Sequence, residues 1–468
     1  MRILSRTMLA ATSGLALWTG FAPVELWFSP ILGIAALFFV LSNSSLKVRL
    51  LNAFVAGTFF FLPLLHWSST YVGSTPWLIL ALSQALIFST MGFASFRRNF
   101  LGVATFAAFF TILELSRMKA PFGGFGWGRI GFTQVDSFGI LYPFLGIAGI
   151  TFLVVVLSSL LVVNNKSLIV GLALISLVFF LTSTEKSKED LNSTFNITAV
   201  QGGVGELGLD YNSRALDILK RHVSASPDSS PSRLILWPEN AIDIDPTQNQ
   251  KAKEILSNFL QKQQSLLMAG VVEQSIKGPK NSSIVYDKNG DEFSRYVKQD
   301  LAPFGEYMPL RNLAQKISPY AQQVSDFVAG SKWNPVSIDD WQFQSFICFE
   351  ILDDDHVRQG AKNMDFLVAQ TNNATFGESP QARQQLQITR ARAAELRKEF
   401  AVVSTTGFTA HLDQLGQIVD SLPQFKPGAL EMELNRAGAD TPANRLTTPI
   451  WVVFCMLIGL VGVGLYRR

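Results

Sequence analysis

Seven apolar runs fill the first 183 residues, at about 8–22, 27–43, 50–66, 76–95, 100–116, 139–163 and 167–183, and an eighth spans about 449–466. Crossing the hydrocarbon of a bilayer takes roughly 20 apolar residues, with a range of about 17–25. Most of the runs reach that length, so the chain is expected to cross a membrane about eight times. The first run follows Arg2 and Arg6, the layout of a secretory leader. No small-x-small cleavage site follows it and further runs come at once, so it reads as an uncleaved span. Hydrophobic residues make up 48% of the chain and charged residues only 16%, which excludes an ordinary soluble enzyme for the chain as a whole.

Basic residues between spans mark the cytoplasmic side. Arg2 and Arg6, Lys47 and Arg49, Arg97 and Arg98, and Lys166 fall on alternate turns. That places the N-terminus inside, residue 184 outside, and Arg467 and Arg468 inside again. The loop 117–138 departs from the pattern, carrying Arg117, Lys119 and Arg129. The expected site is the cytoplasmic membrane, with both termini cytoplasmic and the large segment 184–447 on the extracytoplasmic side. The expected boundaries are a membrane domain at 1–183, a catalytic domain at 194–435 and a last span at 448–468.

The polar segment changes character at once. Phe195–Val200, Leu234–Trp237, Leu266–Val272, Ser283–Tyr286, Gln344–Cys348, Phe366–Ala369 and Ala401–Thr405 read as strands. Tyr211–Ser224, Gln248–Gln264, Asp353–Lys362 and Ala382–Lys398 read as helices. Strands alternating with helices suggest a layered α/β domain. The net charge of +3 and the lack of a dense Lys/Arg run argue against nucleic acid as a partner. The four His have no metal-like spacing, so neither a metal nor another cofactor is expected.

Of two Cys, Cys455 lies in the last apolar run, which leaves Cys348 as the one thiol of the polar segment. A lone Cys is most often a small buried hydrophobe, but its neighbours here argue otherwise. Cys348 ends a strand-like run and precedes Phe349 and Glu350, where helix-start amides would favour a thiolate. Glu239 follows a strand in Trp237-Pro238-Glu239 and suits a general base. Lys298 opens Lys298-Gln299-Asp300-Leu301-Ala302-Pro303-Phe304-Gly305-Glu306-Tyr307 and suits a cation for a tetrahedral oxyanion. A surface Glu and a solvated Lys are the common fates of such residues taken singly. Together and in this order they supply what thiol-based acyl chemistry needs. The stretch Ala321–Ala329, with Val324, Phe327 and Val328, suits either a lipid-side flap or ordinary packing.

The order Glu, Lys, Cys in an α/β domain resembles the nitrilase, or carbon–nitrogen hydrolase, superfamily. The spans and the Leu301-Ala302-Pro303-Phe304-Gly305-Glu306-Tyr307 run are similar to its membrane branch, the bacterial apolipoprotein N-acyltransferases. Glu114, Arg117 and Gly124-Phe125-Gly126-Trp127 fit the same pattern, as do Arg392, Ala393, Glu395, Thr406 and Gly407. The resemblance implies an extracytoplasmic α-β-β-α sandwich with Glu239, Lys298 and Cys348 as triad. It implies supporting or substrate-binding roles for Glu306, Glu350 and Trp237. It also implies the reaction: a phospholipid acyl donor, a thioester on the Cys, and the α-amino group of a diacylglyceryl-modified lipoprotein as acceptor. Asn372-Asn373-Ala374-Thr375-Phe376-Gly377, Phe349 and Gln201-Gly202-Gly203 depart from the usual pattern and bear on substrate detail. A membrane-tethered amidase and a catalytically decayed scaffold are the alternatives.

Overall fold

The computed structural model describes residues 3–70, 73–186, 193–203, 216–317, 319–322 and 324–466. Two compact units divide the chain, one of 1–186 with 441–468 and one of 187–440.

The first unit is helical: α1 (Ile3–Trp18), α2 (Ser29–Leu41), α3 (Leu46–Leu64), α4 (Ser74–Ser89), α5 (Phe100–Lys119), the short α6 (Val135–Phe138), α7 (Tyr142–Leu160), α8 (Asn165–Thr184) and a C-terminal helix Thr448–Tyr466. Among the described residues, five helical segments are long and apolar enough to cross a membrane: Leu46–Leu64, Ser74–Phe93, Phe100–Lys119, Val135–Leu160 and Asn165–Thr184. Ser29–Leu41 and Thr448–Gly462 are apolar but shorter, and α1 has 16 residues, so the expected count of eight rests on length for five only. Burial separates the helices. The apolar window of α5 is 67% buried and that of α8 only 17%. On α8, Ile169, Val170, Leu172, Leu177 and Phe180 are all exposed. A helix that shows so much apolar surface needs a lipid solvent.

Of the three basic residues that broke the orientation pattern, Arg117 and Arg129 are buried and Lys119 is exposed. Arg117 Nε donates to Gln84 Oε1 at 2.6 Å and its Nη2 to the Trp127 carbonyl at 2.7 Å. Glu114 accepts from the Ile130 amide at 2.8 Å and from Thr151 Oγ1 at 2.7 Å, and Arg129 Nε lies 3.8 Å from it. These charges tie the loop after α5 to α4, α5 and α7. Charges consumed inside the unit do not report the side of the membrane on which their loop lies.

The second unit stacks two six-stranded sheets. The first has β1 (Thr194–Gln201), β2 (Leu234–Leu236), β3 (Leu266–Ser275), β4 (Gly278–Tyr286), β5 (Glu292–Val297) and β12 (Gly428–Asn435), in the order β12-β1-β2-β3-β4-β5. The second has β6 (Val336–Ile338), β7 (Trp341–Ile347), β8 (Phe366–Thr371), β9 (Phe400–Ser404), β10 (Ala410–Leu412) and β11 (Ile418–Ser421), in the order β11-β10-β9-β8-β7-β6. β1, β2 and β3 are parallel, as are β7, β8 and β9, and the flanking pairs are antiparallel. Successive strand residues face opposite ways. Phe195, Ile197, Leu234, Leu236, Phe343, Phe366, Val368 and Val403 thus meet between the sheets. Val200, Ile235 and Leu267 face the other way, onto α9 (Asp217–Ala225) and α10 (Gln250–Leu260). The second sheet carries α12 (Asp354–Gly360) and α13 (Gln381–Leu396), while α11 (Arg311–Ile317) lies in the loop after β5. The result is the four-layered α-β-β-α arrangement.

The seven expected strands and four expected helices form, with shifted ends. The expected helix Tyr211–Ser224 is seen from Asp217, its first five residues lying outside the described ones. Five strands escaped the reading: β5, β6, β10, β11 and β12. They are edge or next-to-edge strands, short or interrupted by charge.

Candidate active site

The candidate residues sit just past strand ends, where the side chains of neighbouring strands converge. Glu239 follows β2 by three residues. Its loop is sewn to β3: the Trp237 amide donates to the Met268 carbonyl at 2.8 Å, Gly270 to Pro238 at 3.1 Å and Ile242 to Gly270 at 2.9 Å. Only glycine permits that approach. A Cβ at Gly270 would lie 2.4 Å from the Pro238 oxygen and 2.6 Å from Glu239 Cα. Trp237 is fully buried, 4.9 Å from the Phe259 ring centroid, with Nε1 donating to Ser226 Oγ at 3.0 Å. Its indole belongs to the core beneath Glu239, and its carbonyl accepts from Gln370 Nε2 at 2.7 Å.

Glu239 is 4% exposed and Lys298 is 1% exposed. Lys298 comes directly after β5, and its amide donates to the Asn281 carbonyl at 2.9 Å. Its Nζ lies 2.8 Å from Glu306 Oε2 and 3.4 Å from Glu239 Oε1. Asn281 Nδ2 divides its hydrogens between Glu239 Oε1 at 2.7 Å and Glu306 Oε1 at 2.9 Å. The Asn372 amide donates to Glu239 Oε2 at 2.8 Å, and the Ala302 amide to Glu306 Oε2 at 2.8 Å. Phe327 of the segment Ala321–Ala329, and Gly330 just after it, bond into this frame. Phe327 N donates to the Glu306 carbonyl at 2.7 Å, and Gly330 N to the Lys298 carbonyl at 2.7 Å.

Cys348 follows β7 and opens a single 3₁₀ turn, Cys348–Leu352, with φ at +52°. A side chain in that region costs about 1–3 kcal/mol and persists where its surroundings enforce it. Glu350 does the enforcing. Fully buried, it accepts from the Ile347 amide, the Gln299 amide and the Tyr296 hydroxyl, each at 2.7 Å. It therefore links the cysteine turn to the backbone just after Lys298. Arg392 Nε and Nη2 donate to the Ile351 and Leu352 carbonyls at 2.8 and 3.0 Å, and Arg392 pairs with Asp354 and Glu395.

Electrostatics follow from this packing. Burial first of all holds Glu239 above the ordinary carboxylate range; Lys298 pulls it back and Glu306 adds to the rise. Burial works against the Lys298 charge, but Glu306 and Glu239 outweigh it and keep the ammonium protonated well past neutrality. Burial pushes the Cys348 thiol far up, Glu239 pushes it further, and Lys298 opposes both. Burial and Glu239 thus work against the expected preformed thiolate, and Lys298 works for it. Behind Glu350, burial works against a charge on His356, but Glu350 and Asp300, each 3.4 Å away, outweigh it and raise the imidazole above its ordinary value.

Asn281, Gln370 and Gln385 were not anticipated. Asn281 lies just before the expected strand Ser283–Tyr286, in Lys280-Asn281-Ser282, where Asn281 and Ser282 are polar yet buried in β4. No spacing rule connects Gln385 with Cys348 across 37 residues.

Residues 197–441, more than half of the chain, match the family profile of the carbon–nitrogen hydrolases. Residues 13–160 match that of the apolipoprotein N-acyltransferase N-terminal domain. The chain is 29% identical to the apolipoprotein N-acyltransferase of Pasteurella multocida, covering 98% of this chain and 96% of that one. It is 28% identical to that of Mycolicibacterium smegmatis, over 93% and 81%. An amidase of the nitrilase superfamily from Nesterenkonia AN1 is similar over 54% of this chain and 94% of its own, at 16% identity and a TM-score of 0.37, too loose to add weight. The two matched profiles, in this order along one chain whose first part carries membrane-length helices, make this chain a member of the carbon–nitrogen hydrolase family, in its apolipoprotein N-acyltransferase branch.

Proposed function

We propose that this protein moves an acyl chain from a membrane phospholipid onto Cys348 and then onto the α-amino group of a lipoprotein's diacylglyceryl cysteine. One observation carries the chemistry: a buried ammonium, Lys298, held between two carboxylates at 2.8 and 3.4 Å, with a thiol inside the same electrostatic field. Glu239 takes the Cys348 proton as sulfur bonds to the ester carbonyl, so the neutral thiol is the resting form. Lys298 stabilises the tetrahedral oxyanion as a point charge in a dry site. Collapse releases the lysophospholipid, whose alkoxide recovers the proton from Glu239. In the second half the amine attacks the thioester, its proton passes to Glu239, and Cys348 leaves and is reprotonated. Glu306 holds Lys298 and stays out of the bond changes.

The membrane helices favour this reading over a tethered amidase, because a soluble amide needs no lipid phase. The orientation proposed has the second unit on the extracytoplasmic face, where lipoprotein amines become available. The test is incubation of membranes with phospholipid labelled in its acyl chain. A hydroxylamine-sensitive label should appear on the protein and on Cys455→Ala, and should be absent from Cys348→Ala. Full labelling of Cys348→Ala would overturn the covalent route.

A further inference from the structure

We infer that Gln385 is a catalytic residue whose side-chain N–H receives the charge that develops on the Cys348 sulfur. The inference rests on the reading of Cys348 as nucleophile. Gln385 lies in the second turn of α13 and is 3% exposed. Its Nε2 donates to Cys348 Sγ at 3.7 Å, a distance suited to sulfur.

Which end of an amide faces a neighbour is read from its other partners, and here they form one consistent chain. The Gly407 amide donates to Ser404 Oγ at 2.8 Å, and the serine hydroxyl donates to Asn373 Oδ1 at 2.7 Å. Thr371 Oγ1 donates to the same Oδ1 at 3.0 Å. Asn373 Nδ2 points the other way, where it meets Gln385 Oε1 at 2.8 Å and Gln381 Oε1 at 2.7 Å. Gln381 Nε2 also reaches Gln385 Oε1, at 3.3 Å. With two donors on its oxygen, Gln385 has its nitrogen committed to the sulfur. Gly407 belongs to this chain of dipoles by necessity, because a Cβ there would lie 2.3 Å from Asn373 Oδ1.

The arrangement answers a specific need. The half-buried cysteine lies in the field of Glu239, which resists charge on sulfur, and Lys298 is already shared by two glutamates. A neutral, fixed N–H relieves the sulfur without adding a charge that would disturb Glu239. In the first half-reaction the S–H proton moves to Glu239 while the S–C bond forms, and the donor eases the passing charge. In the second, the N–C bond forms, the C–S bond breaks, and its electron pair returns to a sulfur already facing Gln385.

The test uses the full chain in a Cys455→Ala background, with two readouts: the rate of iodoacetamide alkylation of Cys348 against pH, and acylation by labelled phospholipid. Gln385→Met keeps the length and loses the donor. A hydrogen bond to a charged group is worth about 1.5–3 kcal/mol, so alkylation near neutral pH should slow about 10- to 100-fold and its pH profile should move upward. Gln385→Glu should move it further. Asn373→Asp replaces the donor that fixes Gln385, lets the amide turn over, and should act in the same direction. It also serves if Gln385→Met is not recovered folded. An alkylation profile unchanged from the parent in a folded Gln385→Met or Asn373→Asp protein overturns the inference. A parent that alkylates normally yet takes no acyl group from phospholipid contradicts the proposed function instead, and the alkylation profiles still decide Gln385.

Discussion

Glu239 and Glu306 share one lysine, but their surroundings give them different work. Glu306 has the shorter contact with Lys298, 2.8 Å against 3.4 Å, and the Ala302 amide holds the same oxygen. Glu239 is the carboxylate whose affinity for a proton burial raises, which is what a base near neutral pH requires. Glu239→Gln is close to isosteric and should reduce thioester formation by about 10²–10⁴. Lys298→Met should cost about 10²–10³, and Lys298→Arg should rescue poorly because a planar fork does not replace a compact ammonium. Groups acting as one unit do not add, so the double variant should be little worse than the poorer single one. Single-turnover acylation of each purified variant measures this; near-parental rates in both singles would make these residues structural. The same electrostatics set a pH dependence. Protonation disables Glu239, and its affinity for protons is raised, so acylation should begin to fall at a pH above the ordinary glutamate value of 4.5. A rate that holds constant down to that pH would show that Glu239 is not the titrating base.

At the scale of elements, the cysteine turn is a strained feature held by its neighbours. The 3₁₀ turn Cys348–Leu352 has Glu350 on one side and Arg392 of α13 on the other. Arg392 is fully buried and is shared by Asp354, Glu395 and two carbonyls. Removing one member of a buried charge cluster leaves the others uncompensated, at a cost of about 3–5 kcal/mol. Arg392→Met should lower the denaturation midpoint of the purified protein accordingly and slow acylation, since the turn then loses two of its restraints. Unchanged stability would remove α13 from this role.

What the sequence made legible also divides by element. The parallel strands β1 to β3 and β7 to β9 are mostly buried on both faces, and the apolar runs of β2, β3, β8 and β9 stand out. β12 is no less regular, with Leu430, Met432 and Leu434 inward and Glu431 and Glu433 outward, but its alternation follows a proline-rich turn and was passed over. β11 is exposed throughout and carries no burial signal at all. Glu239 and Cys348 were readable because each follows an expected strand, and Lys298 because it opens the run to Tyr307. Asn281, Gln370 and Gln385 were not, because amide side chains gain their meaning from partners brought in by other strands and helices.

For the whole molecule, two kinds of surface in one chain set the problem. The first unit has helices such as α8 with apolar faces that require lipid. The second is a layered α/β unit with its acyl-transfer groups at strand ends. Arg117 and Arg129 are consumed inside the first unit, so orientation rests on Lys47, Arg97, Arg98 and Lys166, against the single exposed Lys119. With those on the cytoplasmic side, an impermeant thiol label on intact spheroplasts should reach a cysteine introduced at Lys186 and not one introduced at Arg97. The reverse pattern would put the second unit in the cytoplasm and remove its access to exported lipoproteins. The central claim, that Cys348 carries the acyl group between two lipid substrates, is tested most directly by a chase. Protein first acylated from labelled phospholipid, then freed of it, is mixed with a diacylglyceryl-cysteine peptide bearing a free α-amine. The account predicts that the label leaves Cys348 and appears on the peptide in a hydroxylamine-resistant amide, while an N-acetylated peptide takes none. Release of the label as free fatty acid at the same rate with either peptide would contradict it.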